Sequence, residues 1–70
     1  MISESVLWYA RCGTVAVQCT VTSGCAGVDV QIIEDGTTIR RERYPDRSAA
    51  YERARAIRRD YEDAGYQLLE

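Results

Sequence analysis

Histidine, lysine and phenylalanine are missing from this 70-residue chain, and proline and tryptophan appear once each. The lack of histidine removes the commonest general base and the commonest metal ligand together. Three cysteines remain, Cys12, Cys19 and Cys25, an odd number whose spacing fits no zinc or redox template. Free thiols are expected, with Cys19 packed as a small hydrophobe and Cys25, in a loop of small residues, the thiol most open to reaction. No glycine-rich loop opens a helix, because Gly24 and Gly27 join two strands, so the phosphate cradle of nucleotide-binding motifs is missing. The acids Asp60, Glu62 and Asp63 gather on a solvated helix end, not in a cleft where paired carboxylates act. These absences point to a non-enzymatic protein without cofactor or metal.

Long apolar runs are lacking too. The first five residues include Ser3, Glu4 and Ser5, and the run from Val6 to Ala10 is far shorter than the ~20 residues that span a bilayer, or than a secretory core. The expectation is a protein without membrane attachment, in the cytoplasm, where thiols stay reduced.

What is present suffices for one core. Apolar residues make up 46% of the chain, well above the composition of disordered segments. A chain this short buries roughly 60% of its unfolded surface and keeps a margin of about 3 to 5 kcal/mol, which argues against a deep active-site cavity and for a single domain over residues 1–70. All nine basic residues are arginine, and the net charge is −2. From Arg40 to Arg59 eight arginines face Glu42, Asp46 and Glu52, a local excess of five positive charges, while elsewhere Arg11 stands against eight acids. Such asymmetry can steer an anionic partner to one patch.

The β-branched and aromatic stretches from Val6 to Arg11 and Thr14 to Val21 read as strands joined at Cys12-Gly13. After the small-residue loop Ser23 to Gly27, Val28 to Glu34 alternates as a third strand. Asp35-Gly36 is a strong hairpin signal, returning Thr37 to Tyr44 as a fourth. Pro45 ends the ladder, Asp46 is a good N-cap, and a helix should run from about Arg47 to Ala64 with Gly65 beyond its end. Ala50, Ala54, Ile57, Tyr61 and Ala64 then share one helix stripe. Pairing across the turns places Val6, Trp8, Ala10, Val15, Val17, Cys19, Val21, Val28, Val30, Ile32 and Ile39 on one sheet face. The fold class is α+β: a four-stranded antiparallel meander with one C-terminal helix on one face, followed by a docked tail or a short terminal strand.

Two surfaces stand out for binding. The sheet face away from the helix is assigned Leu7, Tyr9, Ala16, Gln18, Gln31, Ile33, Arg40 and Tyr44, a mixed surface apolar enough to meet a partner. The outer helix face carries Ser48, Glu52, Arg55, Arg59 and Glu62, flanked by Tyr51 and Arg58. Its charges run against the helix dipole, with Arg47 at the N-terminus and Asp60, Glu62 and Asp63 at the C-terminus. Pairing of that acidic end with Arg40, Arg41 and Arg43 across the fold would account for the order. The candidate contact residues are Tyr9, Ile33, Arg40, Tyr44, Tyr51, Arg55, Arg58 and Arg59.

From Val28 to Gly65 the succession of strand, Asp35-Gly36, strand, Tyr44-Pro45-Asp46 and an Ala50/Ala54 helix resembles small bacterial and phage proteins of unknown function. It is also similar to arm-type DNA-binding domains of tyrosine integrases, a resemblance that implies a basic sheet set into a DNA groove. Here the first three strands are neutral or acidic. The leading expectation is therefore an interaction or regulatory protein binding a protein partner through the open sheet face or the arginine-rich helix. The alternative is a nucleic-acid-binding module using Arg40, Arg41, Arg43, Arg55, Arg58 and Arg59 on phosphates. A homodimer through the open face or a strand edge is a further use of the same surfaces.

Overall fold

Three hairpins and one helix arrange the chain in the computed structural model, which describes residues 3–69. The strands are β1 (Ser3–Cys12), β2 (Val15–Gly24), β3 (Gly27–Glu34), β4 (Thr37–Tyr44) and β5 (Gln67–Leu69), with α1 (Arg47–Asp63) between the last two. All pair antiparallel in one sheet of order β4-β3-β2-β1-β5. This is the expected α+β meander with its C-terminal helix, and the tail forms the short terminal strand, laid against β1. Met1, Ile2 and Glu70 lie outside the described residues.

The helix begins where the sequence places it. The Asp46 carboxylate accepts a hydrogen bond from the Ala49 amide at 2.9 Å, satisfying one of the orphan donors of the first turn. Ala50, Ala54 and Ile57 are buried against the sheet, and Tyr61 packs at the margin. The small alanines let the helix axis approach the strands closely. Ala64, expected on the stripe, is instead the exposed C-cap residue, because the helix ends at Asp63 and Gly65 takes a positive φ. Trp8 bridges the two layers: its indole N–H donates to the Ala54 carbonyl at 3.2 Å, and its ring meets Tyr61, which meets Tyr66 edge-on.

Both early turns close differently from expectation. The first hairpin turns at Gly13-Thr14, with Cys12 opposite Val15 and Trp8 opposite Cys19. A loop at Cys12-Gly13 would ask cysteine to adopt positive φ in the commonest two-residue turn, whereas Gly13 in first place, at φ 61°, takes that strain alone. The second turn is Cys25-Ala26, with Gly24 paired to Gly27, so the ladder continues through the supposed loop. At Gly27, φ is 135° and an added Cβ would meet the Tyr44 carbonyl oxygen at 2.9 Å, so glycine there permits the close approach of β4. Each register moves by two residues relative to the expected one, which leaves every side chain on its expected face.

Two bulges do change faces. Between Val6 and Trp8 the pairing with β2 slips by one residue, so Val6 stands opposite Thr20 and is 41% exposed instead of buried. Between Ile32 and Ile33 the pairing with β4 slips likewise: Ile32 faces Arg40, Val30 faces Glu42 and Val28 faces Tyr44, while Ile39 is 51% exposed. The core is thus Trp8, Ala10, Val17, Cys19, Val21, Val28, Val30 and Ile32 from the sheet with the three helix residues.

Candidate functional site

The bulge in β4 reassigns the candidate contact residues. Cross-strand partners share a face, so Arg40 and Tyr44, opposite Ile32 and Val28, lie on the helix side of the sheet, and Arg41 and Arg43 lie on the open face. Leu7 is likewise drawn from the open face to the helix side, where it borders Tyr51, Ala54 and Arg55. Tyr9 and Ile33 stay on the open face, each opposite Gln18. Tyr51, Arg55 and Arg59 are exposed on α1 and Arg58 is half-buried. The eight candidates therefore divide among three places instead of forming one patch.

Arg40 and Tyr44 belong to a network that holds α1 to β4. Glu42, carried onto the helix side by the bulge, accepts a hydrogen bond from the Tyr44 hydroxyl and another from Arg53 Nε at 3.0 Å, with Arg40 Nε at 3.8 Å. The Tyr44 hydrogen bond, then Arg53, holds the Glu42 carboxyl below its ordinary range, and the same hydrogen bond raises the Tyr44 hydroxyl. On the open face Arg43 Nε meets Asp29 at 2.8 Å and lowers its carboxyl. The basic run is thus partly neutralised within the fold, and the carboxylates that pair with Arg40 and Arg43 are Glu42 and Asp29, not those of the acidic helix end that the sequence suggested. Arg47 donates to the Ser23 hydroxyl at 3.2 Å, and Arg58 lies 3.7 Å from Glu62. Arg41, Arg55 and Arg59 make no ion pair among the described residues.

The centre of the open face is polar and bonded to itself. Thr20 is buried there and accepts from Gln18 Nε2 at 3.2 Å. The apolar surface lies to one side. Among the described residues six large apolar side chains are substantially exposed, and five of them, Val6, Leu7, Tyr9, Tyr51 and Leu69, border the outer side of β1. A cleft of about 330 Å³ wraps the strand from Val6, Tyr9 and Leu69 on the open face to Leu7 and Arg58 on the helix side. A second cleft, of about 220 Å³, runs between Leu7 and Trp8 on one wall and Tyr51, Arg55 and Arg58 on the other.

The backbone of β1 is also incompletely paired here. β5 covers only Tyr9, Ala10 and Arg11, so among the described residues no strand pairs with the outer edge from Ser3 to Trp8. Sequence reasoning located Tyr9, Tyr51, Arg55 and Arg58, named Leu7 on a binding surface but on the opposite face of the sheet, and missed Val6 and Leu69. The run from Val6 to Ala10, five apolar residues in a row where a half-buried strand would alternate, is the signal that could have found Val6 and Leu7.

Cys12 and Cys25 are exposed at opposite ends of β2, and Cys19 is buried, its thiol pushed up to about 12 by burial. Among the described residues no group of three or more metal-ligating side chains is gathered, and no helix is long and apolar enough to cross a membrane. No protein-family model matches the chain, and neither curated proteins nor solved structures yield a match.

Proposed function

We propose that this is a non-enzymatic interaction or regulatory protein that binds a protein partner along the outer side of β1. The observation that carries the reading is the gathering of Val6, Leu7, Tyr9, Tyr51 and Leu69 on one side of the molecule. Contiguous apolar surface rimmed by charge is what protein interfaces offer, with aromatic and arginine side chains enriched at their centres. The reading merges the open sheet face and the arginine-rich helix into the margin where the two meet. The experiment is site-specific photo-cross-linking in cells from a photoreactive residue at Leu7, compared with Thr38 on β4 and Arg59 on the outer helix. A discrete partner captured from position 7 alone, identified and rebound as a purified protein, is the expected result. Equal capture from all three positions would reject the site.

The second reading, nucleic-acid binding, rests on Arg41, Arg55 and Arg59, which make no ion pair among the described residues. Arg55 and Arg59 lie one turn apart on the exposed helix while Arg41 lies on the open sheet face, so few phosphates can be met at once. Fluorescence anisotropy with labelled duplex and single-stranded oligonucleotides at low and physiological salt tests it. Binding that falls steeply with salt and is lost in Arg55→Glu/Arg59→Glu would favour this reading over the first.

A further inference from the structure

We infer that the free edge of β1 captures an extended segment of a partner protein as an added strand, and that this segment carries a carboxylate set against Arg55 and Arg58. The inference rests on the proposed protein-binding role of this side and specifies its mode and the chemistry of its ligand. Three features converge on it. First, among the described residues β5 pairs only with Tyr9, Ala10 and Arg11, and no strand pairs with the outer backbone edge of β1 from Ser3 to Trp8. Strand addition supplies hydrogen bonds to such an edge, while flanking pockets select alternate side chains.

Second, the two edges of the sheet differ in how they are guarded. β4, the other outer strand, carries Arg40, Arg41 and Arg43, charges that discourage pairing. The open part of β1 has a bulge, as β4 does, between Val6 and Trp8, but its one charge is Glu4, and it is flanked on both faces by apolar side chains, Val6 on one and Leu7 with Tyr51 on the other. An edge left in this state is an aggregation hazard unless it has a use.

Third, the charge beside the cleft has one sign. Arg55 and Arg58 line the helix wall. Arg58 also contacts Glu62, and Arg55 has no partner carboxylate among the described residues. Glu4 is opposite Thr22 on the open face, so it does not face these arginines. An apolar side chain of the incoming strand would enter between Leu7 and Tyr51, with an acidic residue beside it reaching Arg55.

Fluorescein-labelled octapeptides of alternating valine and threonine test this. One carries a central glutamate, a second a central lysine, and a third the glutamate with every backbone amide N-methylated. The glutamate peptide is expected to bind the full chain at least tenfold more tightly than the lysine peptide, the preference to reverse in Arg55→Glu, and N-methylation to abolish binding. Equal affinity for both charges, retained binding of the N-methylated peptide, or no binding by any peptide would overturn the inference. So would a sedimenting dimer that dissociates on Leu7→Glu, since the edge would then be occupied by a second copy. If cross-linking from position 7 still captures a folded partner while the peptides fail, the partner-binding reading stands and strand addition does not.

Discussion

Single side chains already separate what is reactive, what is structural and what is free in this molecule. Cys19 is fully buried and its thiol is pushed up to about 12, whereas Cys12 and Cys25 are exposed. Because the thiolate is the nucleophile, iodoacetamide should add two labels to the native protein and a third only in denaturant, read by intact mass. A third label under native conditions would mean that the core opens on the labelling timescale. Glu42 supplies a second residue-scale test. Its carboxyl is lowered by the Tyr44 hydrogen bond and by Arg53, so it favours the folded state above the ordinary glutamate range, and the contribution is lost as pH falls through the lowered value. Asp29, lowered by Arg43, acts in the same direction. Urea midpoints should therefore decline between neutral pH and about pH 3, and Glu42→Gln should flatten part of that decline. An unchanged slope in the variant would remove Glu42 from the account.

The elements explain why the meander was legible and its two bulges were not. Turn chemistry at Asp35-Gly36, where both residues adopt positive φ, and the cap at Asp46 act locally, so they can be read from a few neighbouring letters. A two-residue slip in either early hairpin leaves parity intact, and the faces of β2 and β3 follow from alternation alone. A bulge inverts parity, and only the tertiary balance reveals it. Without the slip at Ile39, that residue would face the helix together with Arg41 and Arg43, and two guanidinium groups would be desolvated to bury one isoleucine. With the slip, Glu42 and Tyr44 turn inward and find Arg53, while Asp29 receives Arg43. Exposing one isoleucine is the smaller loss, since burying unpaired charge is far more costly than exposing apolar surface. The conflict was present in the sequence of β4, in the shared parity of residues 39, 41 and 43, but weighing it required knowing what stood opposite. Ile39→Thr should accordingly change stability by no more than about 0.5 kcal/mol, while Ile32→Ala, in the core, should cost about 2 to 5 kcal/mol. Chemical denaturation measures both, and a large loss in Ile39→Thr would place that side chain in the core after all.

For the whole molecule, the bulges determine where a partner can bind. They carry Arg40 and Tyr44 into an internal network and bring Val6 and Leu7 to opposite sides of an open strand edge. The surface best suited to binding is thus the margin of β1, with Tyr51 and Arg55 on the adjacent helix, and not the arginine run as a whole. The sequence displayed the constituents, Tyr9, Tyr51, Arg55 and Arg58, yet their grouping depends on where β5 docks along β1 and on the slip at Leu7. Neither is encoded within a few residues of the site. The most direct test is to follow backbone amide chemical shifts of the labelled protein as the partner captured from position 7 is added. The largest changes should fall on Val6, Leu7, Tyr51, Arg55 and Leu69; changes centred on Arg40, Arg41 and Arg43 of β4 would contradict the account.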